Sequence, residues 1–339
     1  MKAGSGIRIA VWVLGLSALA RAGTQAQAPP VDFTKLAPWT AKADVGDYVS
    51  GPPYADAPEL GRRNDVPHGK VTPFTMNSTE SKLYPGIAKT KPGVVPYSRK
   101  VSVYVPAQYE AGKPAAFLIS QDSMGQGELP TILDNMIADK RLPVLVAIMI
   151  DSGGGDAQGS ERGLEYDTVS GAYAEFVENE VLPRASQEAK VTFTKDPEGR
   201  MTMGGSSGGA CAFTMAWYHP EWYHRVLSYS GTFVNQQSPL NRETPHGAWE
   251  YHEHLIAKTK PKPLRVWLHV GENDNRSKDP ESTLHNWVMA NQRMAAVLKA
   301  LKYHYQFVLA RESGHVDGRF VRQSLPQALE WVWKTYKGN

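Results

Sequence analysis

A serine, a histidine and a carboxylate, far apart along the chain, carry the chemistry this sequence can do. The segment Gly204-Gly205-Ser206-Ser207-Gly208-Gly209 follows a short apolar run with Met201 and Met203, and precedes a helix-compatible run from Ala210 to Trp217. Strand, sharp turn and helix in that order, with Gly-x-Ser-x-Gly in the turn, make a nucleophile elbow. The serine is held in a strained backbone conformation at the end of the strand. The residues two before and two after must be small, because strand and helix approach closely there. Two registers fit, Gly204-x-Ser206-x-Gly208 and Gly205-x-Ser207-x-Gly209. Ser206 is preferred, because Ser207 then follows the nucleophile and its amide faces the space where an oxyanion forms.

A serine hydroxyl is a weak nucleophile at neutral pH; it needs a base, and the base needs a third group to fix its tautomer. In strand–turn–helix hydrolases these follow the serine in the order acid, then histidine. Of the ten histidines, His315 in Gly314-His315-Val316-Asp317 lies just past the last apolar run, Tyr305 to Ala310. His219, His224 and His285 sit in helices or at helix ends. The acid is expected in Gly271-Glu272-Asn273-Asp274-Asn275, after the run Leu264 to Val270; Asp274 is preferred, with Glu272 and Asp279 as alternatives. An oxyanion hole needs two inward N–H groups. One is assigned to Ser207, the other to Ser123 or Met124 in the loop after Ala115 to Ser120.

These groups need a scaffold that brings several strand ends to one edge. Ala115 to Ile119 and Val144 to Ile150 are continuously apolar, as strands buried on both faces are, while Val101, Val103 and Val105 alternate. Lys70 to Thr75, Arg225 to Ser230, Leu264 to Val270 and Tyr305 to Ala310 complete the strands. Helical spacing appears around Ile132 to Ile137, from Thr168 to Leu182 ahead of Pro183, from Trp287 to Leu301 and from Leu325 to Tyr336. Strands alternating with helices predict an α/β fold, a mostly parallel sheet with helices on both faces and function gathered at the strands' carboxyl ends.

The chain of 339 residues is 41% hydrophobic and 21% charged, with net charge +3. No basic block gives a footprint for nucleic acid. Lys2 and Arg8 precede the apolar stretch Ile9 to Ala20, and Ala20-Arg21-Ala22 fits a cleavage site. Residues 1–22 therefore read as a secretory signal peptide, which implies a periplasmic or secreted protein with no membrane attachment after cleavage. Residues 23–66 read as an extended arm or linker with order beginning near His68, and 67–339 as the folded domain, with an insert at about 232–262. Cys211 is the single cysteine; it excludes an intramolecular disulfide and suits close packing behind the elbow.

Ser152-Gly153-Gly154-Gly155-Asp156 lacks the lysine of a phosphate-binding loop, and His246, His252 and His254 match no zinc-ligand spacing. No metal or other cofactor is expected. Trp249 and Tyr251 in the insert, with Trp287, are candidates for an aromatic wall beside the site.

Val101-Ser102-Val103-Tyr104-Val105-Pro106 with Tyr109, the elbow Gly204 to Gly209, Arg162-Gly163-Leu164-Glu165-Tyr166-Asp167 and Gly314-His315 together resemble the esterase family that includes enterochelin esterases, esterase D and feruloyl esterases. The resemblance runs over roughly Lys70 to Lys337. It implies the α/β-hydrolase fold, metal-free cleavage of carboxylic esters, and Ser206 and His315 as nucleophile and base. Ser123 departs from the glycine many relatives carry there. Arg162 and Glu165 read as a structural or substrate-orienting pair. The implied substrates are small-molecule or oligosaccharide esters: hydroxycinnamoyl or acetyl groups on sugars, or a siderophore's ester linkage. Acyl transfer through the same acyl-enzyme and a non-catalytic carbohydrate-binding role are the alternatives.

Overall fold

The computed structural model describes Met1 and residues 35–88, 92–125, 127–155, 159–237 and 239–338. Apart from Met1, the expected signal peptide lies outside them. In chain order the regular elements are β1 (Ala37–Pro38), β2 (Gly46–Ser50), β3 (Lys70–Asn77), β4 (Ser98–Val105), β5 (Pro114–Gln121), α1 (Leu129–Ala138) and β6 (Leu145–Ile150). Then come α2 (Glu161–Tyr166), α3 (Ala172–Phe176), a π-helical turn (Val177–Val181), α4 (Leu182–Ala189), β7 (Thr192–Phe193), β8 (Arg200–Gly205) and α5 (Ser207–Tyr218). The remainder is β9 (Arg225–Tyr229), α6 (Ile256–Lys258), β10 (Arg265–Gly271), α7 (Trp287–Ala300), β11 (His304–Ala310) and α8 (Gly318–Trp333).

The strands form one sheet in the order β1-β2-β11-β10-β9-β8-β5-β6-β4-β3, with β7 beside β5. Strands β3, β4 and β6 pair antiparallel at one edge; the pairings from β6 through β5, β8, β9, β10 and β11 to β2 are all parallel. Central strands have both faces dry: every residue of β6, β9 and β10 is buried. One face packs on residues of α3, α4, α5 and α7, including Phe176, Phe213, Met294 and Leu298. The other packs on α1 and α8 through Leu133, Met136, Phe320, Leu329 and Trp333. Because β5, β8, β9, β10 and β11 run the same way, the loops that follow them meet at one edge.

Three departures from the sequence reading have local causes. The arm joins the sheet: Gly46–Ser50 pairs parallel with Gln306–Ala310 of β11, and Trp39 Nε1 donates to Gln306 Oε1 at 2.9 Å. Its five residues, GDYVS, carry no apolar alternation, so partner strand rather than propensity makes it a strand. The helix expected to stop before Pro183 continues to Ala189, because the preceding turn is π-helical: Leu182 N–H reaches back to Val177 O, and Pro183 enters at the first turn of α4, where no amide is required. The last helix begins at Gly318 rather than Leu325, since the Asp317 side chain accepts the Arg319 amide at 2.9 Å and caps it.

His269 sits mid-strand in β10, wholly buried and stacked on Phe320 with centroids 4.3 Å apart. Neither ring nitrogen has a hydrogen-bond partner among the described residues. Burial disfavours the imidazolium and pulls the pKa from 6.5 to about 3, against the opposing pull of the Asp274 charge. The unfolded chain therefore takes up this proton first as pH falls below 6.5. Stability is fully present above that pH and is lost progressively toward pH 3, at up to about 1.4 kcal/mol per pH unit. Chemical denaturation of His269→Leu is expected to show a shallower loss between pH 6 and 4 than wild type.

The strand–helix juncture gives a second expectation. A Cβ on Gly204 would stand 2.5 Å from the Gly208 backbone, which no rotamer change relieves. Gly204→Ala is expected to cost about 1–3 kcal/mol, read as a lower denaturation midpoint.

Candidate active site

Ser206 has φ 58° and ψ −129°, a left-handed conformation costly for a residue with a Cβ. Backbone bonds hold it there: Ser206 N–H donates to Tyr229 O at 2.9 Å, and Ser206 O accepts from Gly209 at 2.9 Å, Ala210 at 3.1 Å and Thr232 at 3.0 Å. Ser207 is the first residue of α5, its side chain buried and 3.5 Å from Gln236 Nε2. The two registers are thereby separated. Ser206 Oγ stands 2.8 Å from His315 Nε2, whereas the Ser207 hydroxyl lies under the helix start.

His315 Nδ1 lies 2.6 Å from Asp274 Oδ1, and Asp274 is 2% exposed. Burial works to raise this carboxyl's pKa. The hydrogen bonds from His315 and the Asn275 amide, with the Ser230 hydroxyl nearby, outweigh it, so the pKa sits below the ordinary 3.8 and the group is ionised. The alternatives are committed elsewhere: Glu272 Oε2 accepts the Glu312 amide at 3.0 Å, and Asp279 pairs with Arg276 at 2.5 Å. The acid and histidine loops are in contact at Gly271, where any Cβ would strike the Ser313 and Gly314 carbonyls, and Asn273 N–H donates to Ser313 O at 2.9 Å.

The loop after β9 supplies two hydroxyls that sequence reasoning did not single out. Ser230 (φ 49°) accepts the Val316 amide at 3.0 Å and stands near enough to Asp274 to help lower its pKa. Thr232 Oγ1 lies 3.4 Å from Ser206 Oγ and accepts from Trp287 Nε1 at 3.3 Å. The only available signal was their position after a strand whose carboxyl end reaches the same edge.

The other expected site residues are placed unevenly. Ser207 N–H, at N1 of α5, has no carbonyl one turn earlier in its own helix, and the helix dipole adds partial positive charge there. The amides of Ser123 and Met124 are instead already taken: Ser123 donates to Ile150 O at the end of β6 at 3.1 Å and Met124 to Gln121 O at 3.2 Å. Arg162 and Glu165 do not pair with each other. Arg162 grips Asp122, with Nη2 2.6 Å from Oδ2, beside the start of α5, where a Cβ on Gly208 would meet Asp122 Oδ2 at 3.3 Å. Glu165 is buried against Arg99, Tyr97 and the Gly153 amide, a structural ion pair rather than a group facing substrate.

Of the aromatics expected in a wall, Trp287 is the one that meets His315 among the described residues. Trp249 and Tyr251 belong to the core: Trp249 lies under Arg293, 5.1 Å from its ring centroid, and Tyr251 packs edge-on to Phe213 at 5.0 Å. The insert is anchored to α5 and α7 by these aromatics. Trp287 instead stands edge-on to His315, centroids 6.0 Å apart at 87°. In the insert, ligand atoms of His246, Glu250 and Glu253 lie within 4.8 Å of one another; His246 pairs with Glu253 at 2.9 Å and His254 with Glu250 at 2.7 Å. Among the described residues no helix is long and apolar enough to cross a membrane.

With this geometry in place, the chain was compared with known proteins. The family described as "Putative esterase" matches residues 94–332. An uncharacterized protein of Bacillus subtilis, YbbA, is 24% identical over 250 residues, covering 70% of this chain and 93% of the relative. The enterobactin esterase of Shigella flexneri superposes with TM-score 0.56 at 18% identity, over 81% of this chain and 62% of that one. This chain thus spans about three-fifths of that enzyme's length. The feruloyl esterase module of Clostridium thermocellum, solved with sinapinate, gives TM-score 0.53 at 16% identity, over 86% and 97%. The sheet order, the helices on both of its faces and the family match over most of the chain agree: this protein belongs to that esterase family and has the α/β-hydrolase fold.

Proposed function

We propose that the protein hydrolyses carboxylic esters through an acyl-enzyme on Ser206, with His315 as general base and Asp274 as its orienting acid. The observation that carries this reading is the continuous line Ser206 Oγ, His315 Nε2, His315 Nδ1, Asp274 Oδ1, with gaps of 2.8 and 2.6 Å. An ionised Asp274 accepts a hydrogen bond from the Nδ1–H of His315 and so keeps the ring proton there, which leaves Nε2 free to accept from Ser206. As Oγ bonds to the ester carbon its proton passes to Nε2, and the carbonyl oxygen gains negative charge. The Ser207 amide at the N-terminus of α5 supports the oxyanion. Collapse of the intermediate breaks the bond to the alcohol, which leaves with the proton from Nε2. Water then repeats the sequence on the acyl-enzyme and restores Ser206.

For the substrate, an ester of an aromatic acid is favoured. Trp287 flanks His315, and two fold relatives were solved with aromatic acids, the enterobactin esterase with a dihydroxybenzoyl-glycine and the feruloyl esterase with sinapinate. The basic and apolar first residues support an exported enzyme.

Ser206→Ala is expected to abolish turnover of a nitrophenyl ester, by about 10³-fold or more, and to prevent labelling by a fluorophosphonate. Asp274→Asn is expected to keep the fold but lower kcat on the order of 10³–10⁴-fold, because the imidazole loses its tautomer control. Full activity in Ser206→Ala overturns the assignment. A panel of nitrophenyl, feruloyl, acetyl-sugar and catecholate esters is expected to rank the aromatic acyl esters first by kcat/KM.

A further inference from the structure

We infer that the loop Ser230-Gly231-Thr232 steadies the catalytic line, with Thr232 donating a hydrogen bond to the nucleophile Ser206. This rests on the reading of Ser206 as nucleophile.

The direction of each bond follows from which groups own protons. An indole Nε1 only donates, so at the 3.3 Å contact Thr232 Oγ1 is the acceptor. The threonine hydroxyl keeps one proton of its own. Ser206, 3.4 Å away, sends its proton to His315 Nε2, which leaves Ser206 Oγ as acceptor for Thr232. The line then reads without conflict from Trp287 N–H to Thr232 O–H to Ser206 O–H to His315. At the other end the Val316 amide donates to Ser230 Oγ at 3.0 Å, so the same loop also holds the backbone one residue past His315.

The loop is rigid enough for the task. Ser230 N–H donates to His269 O at 2.8 Å, and Thr232 N–H donates to Ser206 O at 3.0 Å. Gly231 O accepts from Asn291 Nδ2 at 2.9 Å, and a Cβ on Gly231 would collide with the Phe233 ring. Both hydroxyls are buried, Ser230 fully and Thr232 with 1% exposure, so water does not compete for them on equal terms.

The Thr232 bond turns the Ser206 proton toward His315, and it supports charge on Oγ when the Oγ–carbon bond breaks in deacylation. Trp287 is a positioning residue that acts through Thr232. The test compares Thr232→Ala, Thr232→Ser and Trp287→Phe by nitrophenyl ester kinetics and by the second-order rate of fluorophosphonate labelling. Thr232→Ala is expected to lower kcat and labelling about 10- to 100-fold with KM nearly unchanged, and Thr232→Ser to restore most of the loss. Trp287→Phe is expected to give a smaller loss that vanishes in the Thr232→Ala background, because the indole N–H then has no hydroxyl to orient. Equal rates for Thr232→Ala and Thr232→Ser, or additive losses in the double variant, overturn the inference. Since Ser206→Ala reports the nucleophile independently, an inactive Ser206→Ala beside a fully active Thr232→Ala refutes the hydroxyl line alone.

Discussion

The site depends on the close approach of β8 to α5, which forces Ser206 into a backbone conformation that costs on the order of 1–3 kcal/mol. That cost is offset by neighbours, not by Ser206 itself. Tyr229 of β9 accepts its amide, and the amides of Gly209 and Thr232 satisfy its carbonyl. Glycines at 204 and 209 permit the approach, since a Cβ at either would meet Gly208 backbone or the Ser228 hydroxyl inside 3 Å. The strain is useful because it aims the hydroxyl out of the sheet and leaves the first amide of α5 behind it.

A second constraint is electrostatic. Asp274 is a carboxylate under a histidine, nearly without solvent, and a lone buried charge of this kind would neutralise itself. It stays ionised because donors surround it: His315 and the Asn275 and Gly271 amides. The strand that leads to it, β10, carries His269, whose ring has no hydrogen-bond partner among the described residues and is kept neutral by burial. One on β10 and one in the loop that follows it, the two groups show how partners rather than depth decide charge.

Much of this was legible in the sequence, for physical reasons that can be named. Small residues around Ser206 and a histidine after the last apolar run report strand ends, and buried parallel strands announce themselves as unbroken apolar runs such as Leu145–Ile150. The choice among Glu272, Asp274 and Asp279 was not decisive, because loop carboxylates look alike until burial and partners separate them. Ser230 and Thr232 were invisible, since a hydroxyl beside a glycine is also an ordinary turn. Trp249 was misjudged because an aromatic in an insert reads the same whether it lines a cleft or, as here, sits under Arg293 in the core. Strand β2 was missed because its stability comes from β11, not from its own five residues.

That pairing has a temporal consequence. β2 lies near the start of the chain and its hydrogen-bonding mate near the end, and the seal continues as the Arg311 amide donates to Ser50 O at 2.8 Å, four residues before His315. A ribosome releases the first of these long before the second. The early segment must wait, unpaired, until β11 has been made, so completion of this edge of the sheet and placement of the loop that carries His315 belong to the same event. Such a chain leaves that edge open during synthesis and closes it only once the distant strand has emerged.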